Sequence, residues 1–154
     1  MRRRFSWFAL VVVLMVAVAP LRASSLTAIQ GAVAGLEFCE QARCGAAIFA
    51  GVFKGFVNGR FALGTMAFGV KHETPLPDSG DTKFVTGGSW KLQLLSGQTL
   101  LGLVTGGTLH NNGDGTYGVV ANMSIAGGGD ATFIGTLSHK TFPPTIWGVI
   151  APAP

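Results

Sequence analysis

The stretch AAIFAGVFKGFVNGRFALGTMAFGVKHE, residues 46–73, decides the fold class of this chain. On both sides of its Asn-Gly pair, apolar residues recur at every second position, which is typical of β-strands with one buried face. Asn-Gly is the strongest short signal for a hairpin turn, because both residues tolerate the positive φ angles of a type I′ turn. Such a turn places Phe49 opposite Phe68 and Phe53 opposite Gly64, so that large and small side chains fill one side of the sheet. The stretch therefore predicts an antiparallel hairpin whose inner face is apolar.

Similar period-2 segments follow along the rest of the chain, separated by turn signals. These signals are, in order, a loop at 74–81 that contains prolines and aspartates, Ser-Gly at 96–97, NNGDG at 111–115, AGGGD at 126–130 and Phe-Pro-Pro at 142–144. Seven strands result, and LTAIQGAVAGLEF at 26–38 is either an eighth strand or a helix. Sequential hairpins with one apolar face predict a single small antiparallel up-and-down β-barrel of about seven to eight strands in residues 24–154, because closure leaves no exposed sheet edge.

Burial also predicts the registers of the later strands, since a slip of one residue would turn a whole face outward. A two-residue turn at 96–97 puts Leu101 and Leu103 on the inner face with Trp90. Pairing Leu103 with Met123 keeps apolar residues together in the next hairpin. These registers predict an interior filled by leucine, methionine and aromatic side chains.

The chain begins with three arginines, an apolar run at 8–19 and small residues around Ala23. This order is that of a secretory signal peptide. A membrane anchor is the alternative, but about 12 apolar residues fall short of the ~20 that a transmembrane helix needs. We therefore expect cleavage near Ala23 and a secreted or periplasmic mature chain of residues 24–154.

Removal of residues 1–23 would leave seven basic and seven acidic residues, because four of the eleven lysines and arginines, and none of the seven acidic residues, precede residue 24. A net charge near zero argues against nucleic-acid binding, which needs a basic face to neutralise phosphates. All 23 glycines also lie in the remaining part. Such a density favours turns and closely packed strands over helices.

Cys39 and Cys44 enclose the short segment EQAR. In an exported chain, this spacing predicts a disulfide that closes a small loop. A zinc site would need further ligands nearby, so we expect no metal and no cofactor here.

NNGDG at 111–115 is another candidate for metal or phosphate binding, but it lacks the first and last ligands of a calcium loop and the Lys-Ser/Thr pair of a phosphate loop. A hairpin turn explains its composition.

An eight-stranded outer-membrane barrel has the same length and the same alternation of residues. In that class, the apolar face contacts lipid and the lumen is polar. Here most large aromatic residues share a face with leucine and methionine. This pattern favours a barrel with an apolar interior, and no membrane span in the mature chain.

The predicted registers gather four amphipathic residues, His72, Trp90, Tyr117 and His139, on the inner face at one mouth of the barrel. Tyr117 is expected directly opposite His139. The structural interpretation is that these residues close the end of the core, because their rings pack on apolar side chains while their polar atoms contact water. Such residues are common at barrel rims. The functional hypothesis is that this mouth binds a small apolar ligand, with the two imidazoles and the phenol as polar anchors.

Two alternatives stay open for the function. One is a cyclase- or isomerase-like enzyme that uses the same mouth, although no nucleophile motif such as GxSxG or HExxH occurs. The other is a structural or oligomer-forming exported protein. Ile48, Val52 and Phe56 support it, because they form an apolar stripe on the outward face of the predicted hairpin.

The last third of the chain resembles a known group of barrels. GGGDATFIG at 127–135 and LSHKTFPP at 137–144 are similar to the glycine turn, aromatic strand and later Phe-Pro segment of allene oxide cyclase and dirigent barrels, although GGGD departs from their GGTG-type turn. The resemblance implies an eight-stranded barrel with an apolar cavity that forms oligomers. It leaves the chemistry open, because a shared fold does not establish a function.

Overall fold

The computed structural model describes residues 28–39 and 45–153, which form eight β-strands. The strands are β1 (Ile29–Cys39), β2 (Ala46–Val57), β3 (Arg60–His72), β4 (Thr82–Leu94), β5 (Thr99–Asn111), β6 (Thr116–Ile125), β7 (Gly129–Ser138) and β8 (Thr145–Pro152). Each strand pairs antiparallel with the next, and β8 pairs with β1 to close the barrel. The predicted antiparallel up-and-down barrel is therefore confirmed, and the ambiguous first segment is a strand. Among the described residues, no helix has the length and apolar character needed to cross a membrane.

Two predictions fall on the remainder of the chain. Residues 1–27 lie outside the described residues, and with them the predicted signal peptide and its cleavage near Ala23. Cys39 is the last residue of β1, whereas Cys44 lies outside the described residues. The disulfide between them stays a prediction.

The β2–β3 hairpin has the register that its sequence predicts. Phe49 pairs with Phe68 and Phe53 with Gly64. Asn58 has a φ of 51° and the glycine that follows it a φ of 74°, the two positive angles that a type I′ turn requires. The Asn58 side chain also accepts a hydrogen bond from the backbone N–H of Ala28, 3.0 Å away. This turn therefore both sets the register of the hairpin and holds the start of β1.

The predicted β4–β5 register is wrong by one residue. The backbone N–H of Leu94 donates to the carbonyl oxygen of Gln98, so that the connection contains three residues, 95–97, rather than two. Trp90 consequently opposes Gly102, and Leu101 and Leu103 point outward, with Leu103 58% exposed. The physical reason is that Gly97 adopts a φ of 89°, which lets the extra residue fit into a tight turn.

The same shift continues into the next pairs. Val104, rather than Leu103, opposes Met123, and a β-bulge follows Val104. In the β6–β7 hairpin, Met123 pairs with Ala131 and Tyr117 with Leu137, so the expected pairing of Tyr117 with His139 is wrong by two residues. The AGGGD turn is tighter than predicted, because its glycines at 127 and 129 have positive φ angles and β7 begins at residue 129. A shift of two leaves each side chain on its predicted face.

Side chains at alternate positions fill the barrel. Leu92 and Ala121 are completely inaccessible to solvent, and Trp90 and Phe53 are nearly so. The buried cluster also includes Phe49, Phe68, Met123, Phe133, Ile146 and Ile150. The interior is therefore an apolar core, and the space left within it lies toward the ends.

Candidate functional site

A cavity of about 60 Å³ opens at the mouth where β3 ends and β4 begins. Its walls are mainly apolar, from side chains of β2 to β8. Its polar members are Glu37, His72, Tyr117 and His139. The structure thus brings together three of the four residues that the sequence predicted for this mouth.

Trp90, the fourth predicted residue, does not line this cavity. Its ring is buried deeper in the barrel, where it pairs with Phe68 on β3 and Gly102 on β5. The indole N–H donates a hydrogen bond to the carbonyl oxygen of Ser124 at 3.1 Å. Trp90 therefore stabilises the core, because a buried indole needs a partner for its one donor.

His72 is the one buried polar residue of the described chain, with 7% of its surface exposed. It lies at the end of β3, next to a β-bulge, and its backbone N–H donates to the carbonyl oxygen of Gly45. Its ring Nδ1 is 2.8 Å from the carbonyl oxygen of Glu73. Because a carbonyl only accepts, Nδ1 carries the proton of the neutral ring and Nε2 carries the lone pair. Nε2 has no hydrogen-bond partner among residues 28–39 and 45–153, so a ligand in the cavity could donate a hydrogen bond to it.

His139 and Glu37 form a pair across the seam between the first and last parts of the chain. His139 Nε2 lies 2.5 Å from Glu37 Oε2, and the His139 backbone N–H donates to the carbonyl oxygen of Gly115. The ring of Tyr117 meets the His139 ring edge-on, with 5.5 Å between the ring centroids. The two rings are thus in contact although their residues are not directly paired, because diagonal neighbours on one face of a sheet lie within reach of aromatic side chains.

Glu37 is the residue of this site that the sequence reasoning missed. The segment 26–38 was ambiguous between strand and helix, so its inward positions were not assigned. In β1, Ile29 and Val33 are buried, and the alternation continues through Gly35 to Glu37. That period-2 pattern was visible in the sequence and would have placed the carboxylate inside the barrel.

Two loops surround the mouth. The β3–β4 connection carries Leu76 into the cavity wall, and its Pro77 carbonyl oxygen accepts a hydrogen bond from the side chain of Asn111 at 2.9 Å. The Gly80 backbone N–H also donates to the carbonyl oxygen of Asn111. The β3–β4 loop is therefore anchored to the start of NNGDG, and the two form one rim.

NNGDG is a hairpin connection in the structure. Asp114 accepts hydrogen bonds from the backbone N–H and the hydroxyl of Thr116, and its other oxygen lies 2.6 Å from Lys140 Nζ. The hydrogen bond from Lys140, followed by the one from the Thr116 hydroxyl, lowers the pKa of Asp114 to about 2. Within residues 28–39 and 45–153, no cluster of three or more His, Cys, Asp or Glu has the geometry to hold a metal ion.

The mouth has a distinctive balance of charge. Among the described residues that line the cavity, Glu37 is the one carboxylate, and none is a lysine or an arginine. Hydrogen-bonding capacity comes from Tyr117 and the two imidazoles. The described part of the site can therefore hold an apolar body and one small polar group of a ligand, and it provides no lysine or arginine to pair with a ligand anion.

Comparisons with family models, with curated proteins and with solved structures give no match to this chain. The resemblance of residues 127–144 to allene oxide cyclase and dirigent barrels thus stays a prediction.

Proposed function

We propose that this protein binds a small, mainly apolar molecule at the barrel mouth, and that the ligand carries a neutral hydroxyl group. One observation supports this above the others. His72 lines a cavity with apolar walls, and its Nε2 accepts no hydrogen bond from the part of the chain that the structure describes. Ligand sites typically combine an apolar pocket with a few polar groups that fix the orientation.

The size of the cavity limits the ligand. A cavity needs about 10–15 Å³ to hold one water molecule. The 60 Å³ at the mouth therefore holds a few heavy atoms of a ligand. Complete pockets for drug-sized ligands are usually about 300–1,000 Å³. The cavity therefore fits a small molecule or one end of a longer one.

The charges at the mouth select the polar group. A carboxylate ligand would meet the carboxylate of Glu37, with no lysine or arginine among the described residues of the lining, and repulsion between like charges in a partly buried site is costly. A hydroxyl instead donates to Nε2 of His72 and accepts from the hydroxyl of Tyr117. An alcohol or a phenol thus matches the site better than an acid does.

The test is titration calorimetry with two probes of equal chain length, 1-hexanol and hexanoate. We expect 1-hexanol to bind more tightly than hexanoate. In the double variant His72→Asn and His139→Gln, the amides can keep the hydrogen bonds to Glu73 and Glu37, but the free imidazole acceptor and the ring contact with Tyr117 are lost. One or two hydrogen bonds at about 0.5–1.5 kcal/mol each correspond to a roughly tenfold weaker binding of 1-hexanol.

His110→Asn is the matched control. His110 is exposed on the outside of β5, where its ring bonds to the hydroxyl of Thr82 at 2.8 Å. This substitution should leave the binding of 1-hexanol unchanged. If the double variant binds 1-hexanol as well as the unaltered protein does, the proposed site is wrong.

An oligomer-forming role is a second candidate, and the outer surface favours it. Val52 is 62% exposed and Phe56 49% exposed on the outside of β2, and Phe61 on β3 meets Phe56 edge-to-face at 6.0 Å. Ile48 lies on the same outward face and is half-buried. Exposed apolar patches of this kind commonly contact another protein surface. Native mass spectrometry of the protein from its own source would report the subunit number and any retained ligand together.

A cyclase- or isomerase-like activity at the same mouth is supported by the pair of Glu37 and His139 beside Tyr117, since these side chains can take up and return a proton. NMR that detects conversion of a bound ligand would distinguish an enzyme from a binding protein.

The predicted leader at residues 1–23 supports export to the periplasm or the exterior. Sequencing the N-terminus of the exported protein tests the expected cleavage near Ala23.

A further inference from the structure

A second cavity lies inside the barrel below the mouth. It measures about 30 Å³, and its lining residues are apolar or glycine, among them Val33, Phe53, Met66 and Ile150. Protein interiors are close-packed, with few voids larger than a water molecule. Voids lined by apolar side chains stay dry, and they bind apolar molecules. The space is therefore suited to a hydrocarbon group rather than to water.

The two cavities share a partition. Phe49, Phe68 and Ile146 line both the mouth cavity and the inner one. Phe49 and Phe68 are directly paired across β2 and β3, and Phe68 packs on Phe133 with 5.8 Å between the ring centroids. One layer of side chains thus separates a chamber with polar groups from a chamber without them.

We infer that the two cavities are the two ends of one binding site for an unbranched amphiphile, a long-chain alcohol with its hydroxyl at His72 and its chain directed past Phe49 and Phe68 into the inner chamber. This inference rests on the proposed function, because it takes the hydroxyl position from the mouth. Phe49 and Phe68 belong to the walls of both chambers, so a change of rotamer at one of them is the movement that would join the chambers. An unbranched chain is the apolar shape that passes such an opening.

The inner chamber determines how long an alkyl chain the site can bury. Each buried methylene contributes about 0.8 kcal/mol, which is a roughly fourfold gain in affinity. If the chain enters the inner chamber, affinity continues to rise from 1-hexanol to 1-octanol, the roughly two methylenes that 30 Å³ can hold. If the partition is a fixed floor, the rise ends once the mouth cavity is full.

Val33→Phe tests this by filling the inner chamber from β1 while leaving the mouth residues in place. We expect 1-butanol to bind to this variant as it does to the unaltered protein. The affinity for 1-octanol should fall about tenfold or more, the equivalent of about two methylenes that no longer enter. Ala34→Phe is the matched control, since it adds the same side chain to the exposed outer face of the same strand.

Two results overturn the inference while leaving the proposed function intact. One is a rise in affinity that already ends at the short alcohols in the unaltered protein, and the other is an equal response of Val33→Phe and Ala34→Phe to chain length. If Val33→Phe does not fold, Ile150→Phe fills the same chamber from β8 and replaces it. Failure of every alcohol to bind to the unaltered protein instead refutes the proposed function itself.

Discussion

Substitution of Gly102 by alanine tests the register of β4 and β5 that the structure revealed. A Cβ at this position would overlap the backbone carbonyl oxygen of Ser124 and would come within 2.8 Å of Trp90 Nε1. The same carbonyl oxygen accepts the hydrogen bond of the indole. Gly102→Ala should therefore disturb both the packing of β5 on β6 and the buried hydrogen bond from Trp90 to Ser124.

The magnitude follows from these two effects. Overpacking of a core costs about 1–3 kcal/mol, and loss of the partner of a buried donor costs about 1–3 kcal/mol more. We expect the free energy of unfolding of Gly102→Ala to fall by about 2–6 kcal/mol, which lowers the melting temperature by on the order of 10 °C. Chemical denaturation followed by tryptophan fluorescence and a thermal melt measure the two quantities.

Gly106 on the same strand supplies the control. The nearest atom to a Cβ there is the carbonyl oxygen of Val85 at 3.7 Å, an ordinary contact. Gly106→Ala should leave stability within about 1 kcal/mol of the unaltered protein, or raise it slightly, because alanine restricts the unfolded chain. Equal effects of Gly102→Ala and Gly106→Ala would refute the observed register. In the register expected from the sequence, Leu103 rather than Gly102 faces Trp90.

Three further predictions concern stability, acid and assembly. Leu92→Ala should lower the free energy of unfolding by about 2–5 kcal/mol. Leu95→Ala, at a residue 80% exposed, should change it by less than about 0.5 kcal/mol. Equal losses of stability in denaturant titrations would contradict the assignment of Leu92 to the barrel interior. The pKa of Asp114 is lowered to about 2 by Lys140 and its other partners, below its unfolded value of about 3.9. Its contribution is therefore present above about pH 4 and is lost as the pH falls toward 2, so that the gap in melting temperature between the unaltered protein and Asp114→Asn should close over that range. Phe56→Ser should reduce the subunit number in sedimentation experiments if the outer face joins copies of this chain, and an unchanged number argues against that surface.

The sequence predicted the barrel because its information is local. Asn58 and the glycine after it fix a turn, and the turn fixes every pair from Phe49 to Phe68 without reference to the rest of the molecule. At Gly97 a single positive φ angle made the connection one residue longer, and the faces of the following leucines were reversed. Burial reasoning could not detect this, because leucine occupies both odd and even positions of β5.

The candidate site was predicted in part for the same reason. The sequence correctly placed His72, Tyr117 and His139 at the mouth. The register error of two residues between β6 and β7 did not matter, because a shift of two keeps each side chain on the same face of its strand. Trp90 was placed too near the rim, since the sequence gives the face of a residue more readily than its depth. Glu37 was missed because the sequence left residues 26–38 open between strand and helix, and the side chain faces inward only in a strand, where Glu37 pairs with Phe49 of β2.

The closing pair of strands has a practical consequence for anyone who handles this protein. Ile29 pairs with Ile150, and the N–H of Ala153 donates to the carbonyl oxygen of Asp130 near the start of β7. Both ends of the described barrel therefore emerge side by side at the rim that carries the Asn58 turn, on the far side from His72. A protein immobilised or fused through either end would present the mouth to solution, and a short linker joining the two ends should allow new termini to be opened in a loop.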